Sequence, residues 1–342
     1  MEVLKSRVSR ILSGAVVTAA LGALIAGCSG GTSTGLPAVT HPAVAPPVKA
    51  VIHPVLHITR ATIPEMLAHL QRSSAFASPI KGGKLAHQPT KMTVSAGMNL
   101  VNNGGPVVTS AKAINILVND TTEASWGGMI GTFENDLFNN GGGTGMINIL
   151  DQYIGGSATG AFTDGGDYPV TYDTSQQLGD NDINNIVYQV ATANNIPTGY
   201  GTIFNVFLQN GVSECSSAAG GCYAQQYCAY HGSNDFSDIG HALYTFEGYQ
   251  DIQGCQVSNL PSPNGSTADS TASTLSHETF ELITDPDVAA NNTAWYNSSG
   301  GEIGDLCAPA TGVPTGNVTL GADTWEIQME YDNNVSDCSY TP

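Results

Sequence analysis

The sequence predicts an α+β domain with a mixed sheet and several disulfides over residues 98–342. Helical periodicities and short apolar runs are mixed along this stretch without the strict alternation of a doubly wound fold. Six cysteines lie in the same stretch, and no internal repeat is visible. These observations favour one globular domain of ordinary size.

The strand candidates are short apolar runs, at Ala113 to Val118, Thr202 to Leu208 and His241 to Phe246. Three helix candidates carry apolar residues three and four apart, at Trp126 to Phe138, Met146 to Ile154 and Asn181 to Asn195. Asp180 is placed to cap the third of these helices. A fourth helix is expected from Ala268 to Asp285, because Pro286 cannot continue it. The Asn- and Gly-rich stretches between these elements predict loops.

Residues 1–27 predict a lipoprotein signal peptide. A positive start precedes an apolar run from Ile11 to Ala26, which is short of the roughly 20 residues that a membrane span needs. The small residues before Cys28 match a bacterial lipoprotein cleavage box. We therefore expect cleavage there and lipid on Cys28 that anchors the chain to a membrane, the outer one where the host has two, because Ser29 is not Asp. The alternative is an uncleaved anchor helix.

Residues 28–97 predict a basic tether rich in Pro, Ala and Ser, with one short helix candidate at Ile63 to Phe76. Such a segment usually serves as a spacer that clears the cell envelope. Its positive charge also suits a prosegment that lies on the acidic domain.

Charge divides the chain into two parts. All ten Lys and Arg residues lie at or before Lys112, whereas only Glu2 and Glu65 of the 29 acidic residues precede it. An acidic surface of this kind excludes nucleic acid as a partner. The carboxylates beyond Lys112 must be solvated, hydrogen-bonded, protonated or bound to metal. An acidic habitat, calcium in the medium or plain solubility would each account for the composition.

The chain has seven cysteines. With Cys28 assigned to lipid, an even number remains, which in an oxidising compartment predicts three disulfides and no free thiol. Sequence alone leaves the pairing open. Our working expectation joins neighbours along the chain: Cys215–Cys222, Cys228–Cys255 and Cys307–Cys338. A zinc–thiolate site is disfavoured, since no C-x-x-C pair is present.

The segment from Ser276 to Cys307 contains the candidate metal ligands and the candidate general base. On a helix, His277 and Glu281 share a face and can hold one metal ion, while Glu278 can act as general base on a metal-bound water. This is the logic of H-E-x-x-H with the second histidine replaced by glutamate, and it predicts a zincin-like fold. Glu302 follows His277 by 25 residues, a separation that resembles that of the glutamate ligand in the gluzincins.

Two further carboxylates are expected beside the predicted zinc site of His277, Glu281 and Glu302. Asp305 is expected to accept a hydrogen bond from His277, and Asp285 to lie in the same outer shell. A bare H-E-x-x-E also occurs on solvated helix faces, and a structural calcium site could use Asp285, Asp287, Glu302 and Asp305. Imidazole argues against calcium as the sole occupant.

The other two histidines of the domain need separate interpretations. His231 lies in a predicted loop fixed by the Cys228 disulfide, where it could stabilise an oxyanion, bind the metal or bond to backbone. His241 lies in a strand candidate and is interpreted as structural.

The chain resembles the phosphate-induced protein 1 family, whose plant members are called EXORDIUM. The shared motifs are His277-Glu278 with Glu281, Thr284-Asp285-Pro286, Trp295-Tyr296, Glu302-Ile303-Gly304-Asp305 with Cys307, and Cys228-Ala229-Tyr230-His231. The family usually has glycine where Ala229 stands. The resemblance implies an extracellular protein linked to cell-wall behaviour, and it carries no settled biochemical activity.

The residues therefore favour a lipid-anchored extracytoplasmic protein with a gluzincin-like site, a candidate zinc peptidase or amidase acting on a peptide or cell-wall substrate. One alternative is a non-catalytic envelope or glycan-binding protein with a structural zinc or calcium ion. Another is a calcium-stabilised binding module.

Overall fold

The computed structural model describes residues 99–139, 144–257, 261–288, 292–309 and 313–342. The predicted signal peptide, Cys28 and the tether with its helix at Ile63 to Phe76 lie outside the described residues. Within the described ranges, every helix is too short or too polar to cross a membrane.

Four α-helices are present in the described ranges: α1 (Ile130–Asn139), α2 (Asp151–Ile154), α3 (Asp180–Ala193) and α4 (Ser266–Thr284). The strands are β1 (Val101–Asn102), β2 (Ala111–Val118), β3 (Phe162–Val170), β4 (Thr202–Phe207), β5 (Cys215–Ser216), β6 (Gly221–Cys222), β7 (Ala229–Phe236), β8 (Gly240–Glu247), β9 (Trp295–Tyr296), β10 (Gly316–Leu320), β11 (Asp323–Ile327), β12 (Glu330–Asp332) and β13 (Asp337–Ser339). Three single turns of 3-10 helix occur at Glu123–Trp126, Met146–Leu150 and Asp305–Cys307.

The main sheet has five strands in the order β3-β2-β4-β8-β7, and it is mixed. β2 pairs in parallel with β3 and β4, β4 pairs in parallel with β8, and β7 is the antiparallel edge. β4 is buried along its whole length and β2 almost so, which explains their continuous apolar sequences. The predicted α+β class with a mixed sheet is confirmed.

The two faces of the sheet bury different helices. Ile114 and Ile116 of β2 belong to the core cluster that contains α3. Ala113 and Leu117 belong to the cluster that contains α1 and α4. Because successive strand residues point to opposite faces, Asn115 lies on the α4 side of the sheet.

Two helix starts differ from the prediction. The segment from Trp126 is interrupted by Gly127 and Gly128, whose φ values of 94° and 73° are left-handed, so α1 begins only at Ile130. α3 begins at Asp180, and Gly179 is its N-cap. The carboxylate of Asp182 accepts a hydrogen bond from the Gly179 amide at 2.9 Å, so Asp182 replaces Asp180 as the capping residue.

The three disulfides are Cys215–Cys222, Cys228–Cys255 and Cys307–Cys338. This is the pairing of neighbours along the chain that the sequence led us to expect. Disulfides of this kind persist in oxidising compartments, so they indicate an extracytoplasmic location.

Candidate metal centre

The centre is built on α4, most of whose residues are buried. Its start is fixed by Asp269, whose carboxylate accepts hydrogen bonds from the backbone and side-chain nitrogens of Asn264 at 3.0 and 2.9 Å. It ends at Thr284, as the Pro286 signal predicts. The helix packs against β7, β8 and β11, so its polar side chains point into the interior and must find partners there.

His277 and Glu281 lie one turn apart on α4 and face each other. Nε2 of His277 lies 3.1 Å from Oε1 of Glu281, whose side chain is 1% exposed. The same oxygen accepts a hydrogen bond from the backbone amide of Asp305 at 3.0 Å. Burial alone would lower the pKa of His277, but the charge of Glu281 and the hydrogen bond to it raise that pKa well above its usual value.

Gln328 fixes the orientation of the His277 ring. Its Oε1 lies 3.2 Å from Nδ1 of His277, while its Nε2 lies 3.1 Å from the Gly304 carbonyl and 3.3 Å from Oε1 of Glu330. With the amide nitrogen directed at acceptors, the amide oxygen must accept from Nδ1–H of His277. Nε2 of His277 is thereby directed at Oε1 of Glu281, and an ion bound there would replace the proton that the ring shares with this carboxylate.

Asp305 does not have the position that the sequence predicted. Its Oδ1 lies 4.0 Å from Nε2 of His277, the nitrogen that faces Glu281, and Gln328 occupies the Nδ1 side instead. The Nδ1 side has no space for a further side chain, since a Cβ atom on Gly304 would lie 2.8 Å from Nδ1. Asp305 is therefore not the orienting carboxylate, and it belongs to neither of the residue groups that could hold a metal ion.

His231 lies in the edge strand β7, and not in a loop as the sequence suggested. Its ring is buried and contacts three glutamates. Nδ1 lies 3.3 Å from Oε2 of Glu278 and 3.6 Å from Oε2 of Glu281, and Nε2 lies 3.8 Å from Oε1 of Glu302. Among its expected roles, this position suits a metal ligand better than an oxyanion donor, because carboxylates face both nitrogens.

The structure divides the predicted ligands between two groups that share Glu281. One ligand atom each from His231, Glu281 and Glu302 lie within 4.8 Å of one another, and the same holds for His277, Glu278 and Glu281. His277 and Glu302, expected on one ion, thus fall in different groups. His231 of β7 contacts both Glu281 and Glu302, and so has the place beside Glu302 that was expected for His277.

A polar row crosses the sheet and ends at His231. Asn115, Asn205, Thr245 and His231 occupy matched positions on four adjacent strands. Asn205 accepts from the Thr245 hydroxyl at 3.1 Å and donates to Glu134 at 3.1 Å. Burial raises the pKa of Glu134 well above its usual value. This row holds the β7 side of the centre in a fixed polar environment.

Further buried carboxylates surround the centre. Burial, and then the charge of Glu278, raise the pKa of Glu247 well above its usual value. Burial also raises the pKa of Glu330, with the charge of Glu281 acting in the same direction and that of His277 against it. No Lys or Arg follows Lys112, and among the described residues His231 and His277 are the basic side chains in contact with the glutamates of the centre. A divalent cation would relieve this accumulation of negative charge.

The two remaining aspartates of the motif do not join either group. Asp285 caps the end of α4 and accepts from the Ala294 amide at 2.5 Å. Asp287 accepts from the Tyr200 hydroxyl at 2.8 Å and contacts Nε2 of His241 at 2.9 Å. His241 also contacts Asp235 at 2.7 Å, which agrees with its structural interpretation.

Sequence reasoning missed Gln328, Glu330 and Glu247. Gln328 and Glu330 follow the hairpin of β10 and β11, and no sequence motif links them to the residues of α4. Glu247 could have been noticed, because it is a charged residue that ends the apolar strand β8.

No protein-family model, no curated protein and no solved structure matches this chain.

Proposed function

We propose that the domain is a zincin-like hydrolase of amide bonds whose metal ion is held by His277 and Glu281. The observation that carries the proposal is the fixed orientation of His277, whose Nδ1 bonds to Gln328 while Nε2 faces Glu281 at 3.1 Å. Imidazole and carboxylate donors together suit zinc. Calcium has less support, because Asp285 and Asp287 are bonded elsewhere.

Glu278 is the general base of the proposed reaction. It follows His277 on α4, lies in the same group as His277 and Glu281, and is held by Nδ1 of His231 at 3.3 Å. An ion at His277 and Glu281 would lower the pKa of a bound water and polarise a carbonyl. Glu278 then takes a proton from the attacking water and returns it to the leaving nitrogen as the carbon–nitrogen bond breaks.

Substrate is expected to approach from the side of His277 and Asp305. Their side chains are 16% and 23% exposed, whereas those of His231 and Glu281 are 3% and 1% exposed. A catalytic metal keeps one position open to solvent or substrate, and this is the open side of the centre.

A second candidate function is a non-catalytic envelope protein with a structural metal. The group of His231, Glu281 and Glu302 favours it, because all three residues are buried and structural metal sites are closed. The resemblance to the phosphate-induced protein 1 family, which would place the protein at the cell wall, agrees with either candidate. Lipid on Cys28 would in both cases hold the domain at the envelope.

The variant Glu278→Gln separates the two candidates. Glutamine keeps the hydrogen bond from His231 but cannot accept the proton, so hydrolysis of peptides or cell-wall amides should fall about 100-fold or more while the metal content stays unchanged. Elemental analysis of the purified chain gives the metal content, and release of amines from a peptide mixture and from cell-wall fragments gives the activity.

The matched control is Asp173→Asn, an exposed carboxylate outside the centre, which should change neither quantity. A wild-type chain that carries metal but cleaves neither material would favour the structural candidate. A chain that binds no divalent metal would contradict both candidates.

A further inference from the structure

The two carboxylate oxygens of Glu281 face different histidines. Oε1 lies 3.1 Å from Nε2 of His277, and Oε2 lies 3.6 Å from Nδ1 of His231. Glu281 is 1% exposed, so this carboxylate is enclosed between the two rings. A carboxylate in this position can bridge two metal ions, one through each oxygen.

Carboxylates face both nitrogens of the His231 ring: Oε2 of Glu278 lies 3.3 Å and Oε2 of Glu281 3.6 Å from Nδ1, and Glu302 lies on the side of Nε2. One ligand atom each from His231, Glu281 and Glu302 lie within 4.8 Å of one another. The distance from Nε2 to Oε1 of Glu302 is 3.8 Å, too long for a hydrogen bond. It is close to the roughly 3.5 Å that separates two ligand atoms on one zinc ion, given zinc–ligand bonds of about 2.0–2.2 Å.

The negative charge of the centre also favours two divalent ions over one. Four carboxylates surround the two histidines, at Glu278, Glu281, Glu302 and Asp305. One divalent ion balances two of these four charges, and among the described residues the only Lys or Arg is the exposed Lys112. Two divalent ions would balance all four.

We propose that the centre binds two divalent ions bridged by Glu281, the first held by His277 and the second by His231 and Glu302. This rests on the proposed function for the first ion and adds the second. In two-ion hydrolases the ions lie about 3.5–4 Å apart and act on both the attacking and the leaving atoms.

The test is the stoichiometry of zinc binding to the full chain, purified in detergent and freed of metal with a chelator. Calorimetric titration with zinc, followed by elemental analysis after gel filtration, should give two equivalents per chain. One equivalent overturns the second ion and leaves the proposed function standing. No bound zinc overturns both.

Two variants assign the second ion to its ligands. His231→Ala and Glu302→Gln should each lower the stoichiometry from two to one, while Asp173→Asn should leave it at two. A variant that still binds two equivalents overturns the assignment of that ligand.

Far-ultraviolet circular dichroism shows whether a variant has lost zinc binding only because it is unfolded. If a variant does not fold, the remaining one and the wild-type stoichiometry still decide the question. The proposal predicts that folded His231→Ala keeps one ion, since His277 and Glu281 are intact.

Discussion

At the scale of single residues, the function depends on which nitrogen of His277 is available. Gln328 fixes this, because its amide nitrogen is directed at the Gly304 carbonyl and Glu330 and its oxygen can only accept from Nδ1. Outer partners of this kind set the tautomer and the direction of a ligating histidine.

Replacing Gln328 with Ala should weaken metal binding. The ring of His277 would lose the acceptor on Nδ1, and loss of such a partner typically costs about 10–100-fold in metal affinity. Competition with a zinc-chelating dye measures the affinity. The matched control is Gln176→Ala, an exposed glutamine whose side chain bonds only to a neighbouring carbonyl. Equal affinities in the two variants would show that Gln328 does not orient the ligand.

The individual residues also show how much of the centre could be predicted from the sequence. His277, Glu278 and Glu281 were identified because helical spacing places them together without any knowledge of the fold. His231 and Gln328 come from β7 and from the segment after β11, and no local pattern links them to α4. The expectation that Asp305 orients His277 through a hydrogen bond was wrong, because the amide of Gln328 has that role.

At the scale of elements, strands were predictable where both faces are buried. β2 and β4 are continuous apolar runs in the middle of the sheet, and α3 shows a clear helical period. β3 and β7 were missed because they are the outer strands and contain Gly, Asn, Asp and Pro. Their pairing depends on hydrogen bonds to β2 and β8, which a local pattern cannot reveal.

The Cys228–Cys255 disulfide should matter for both stability and metal binding. It closes 27 residues and lies three residues before His231, at the start of β7. In the chain-entropy model its loss costs about 3.5 kcal/mol, against about 2.4 kcal/mol for Cys215–Cys222, which closes 7 residues. We expect the double variant C228S/C255S to lose more stability in urea unfolding than C215S/C222S, and to bind zinc more weakly.

The pair Cys215–Cys222 is the control, because neither cysteine adjoins a residue of the centre. If C215S/C222S destabilised the chain as much and zinc affinity were the same in both double variants, the disulfide at β7 would have no special role in holding His231.

At the scale of the whole molecule, the distribution of charge and the metal centre belong together. A domain with no Lys or Arg beyond Lys112 buries several glutamates around two histidines. In such a molecule, the proposed metal ions would take the place of the cationic side chains that other proteins use to neutralise buried acids. The disulfides indicate the oxidising compartment where such a domain folds. Anchoring through lipid on Cys28 stays a prediction.

The central claim is that His277 and Glu281 hold a divalent ion, and anomalous X-ray scattering at the zinc edge tests it most directly. Crystals of the protein grown with zinc should show an anomalous peak about 2.0–2.2 Å from Nε2 of His277 and from a carboxylate oxygen of Glu281. An absence of anomalous density between these two side chains, in crystals from a zinc-saturated solution, would contradict the account.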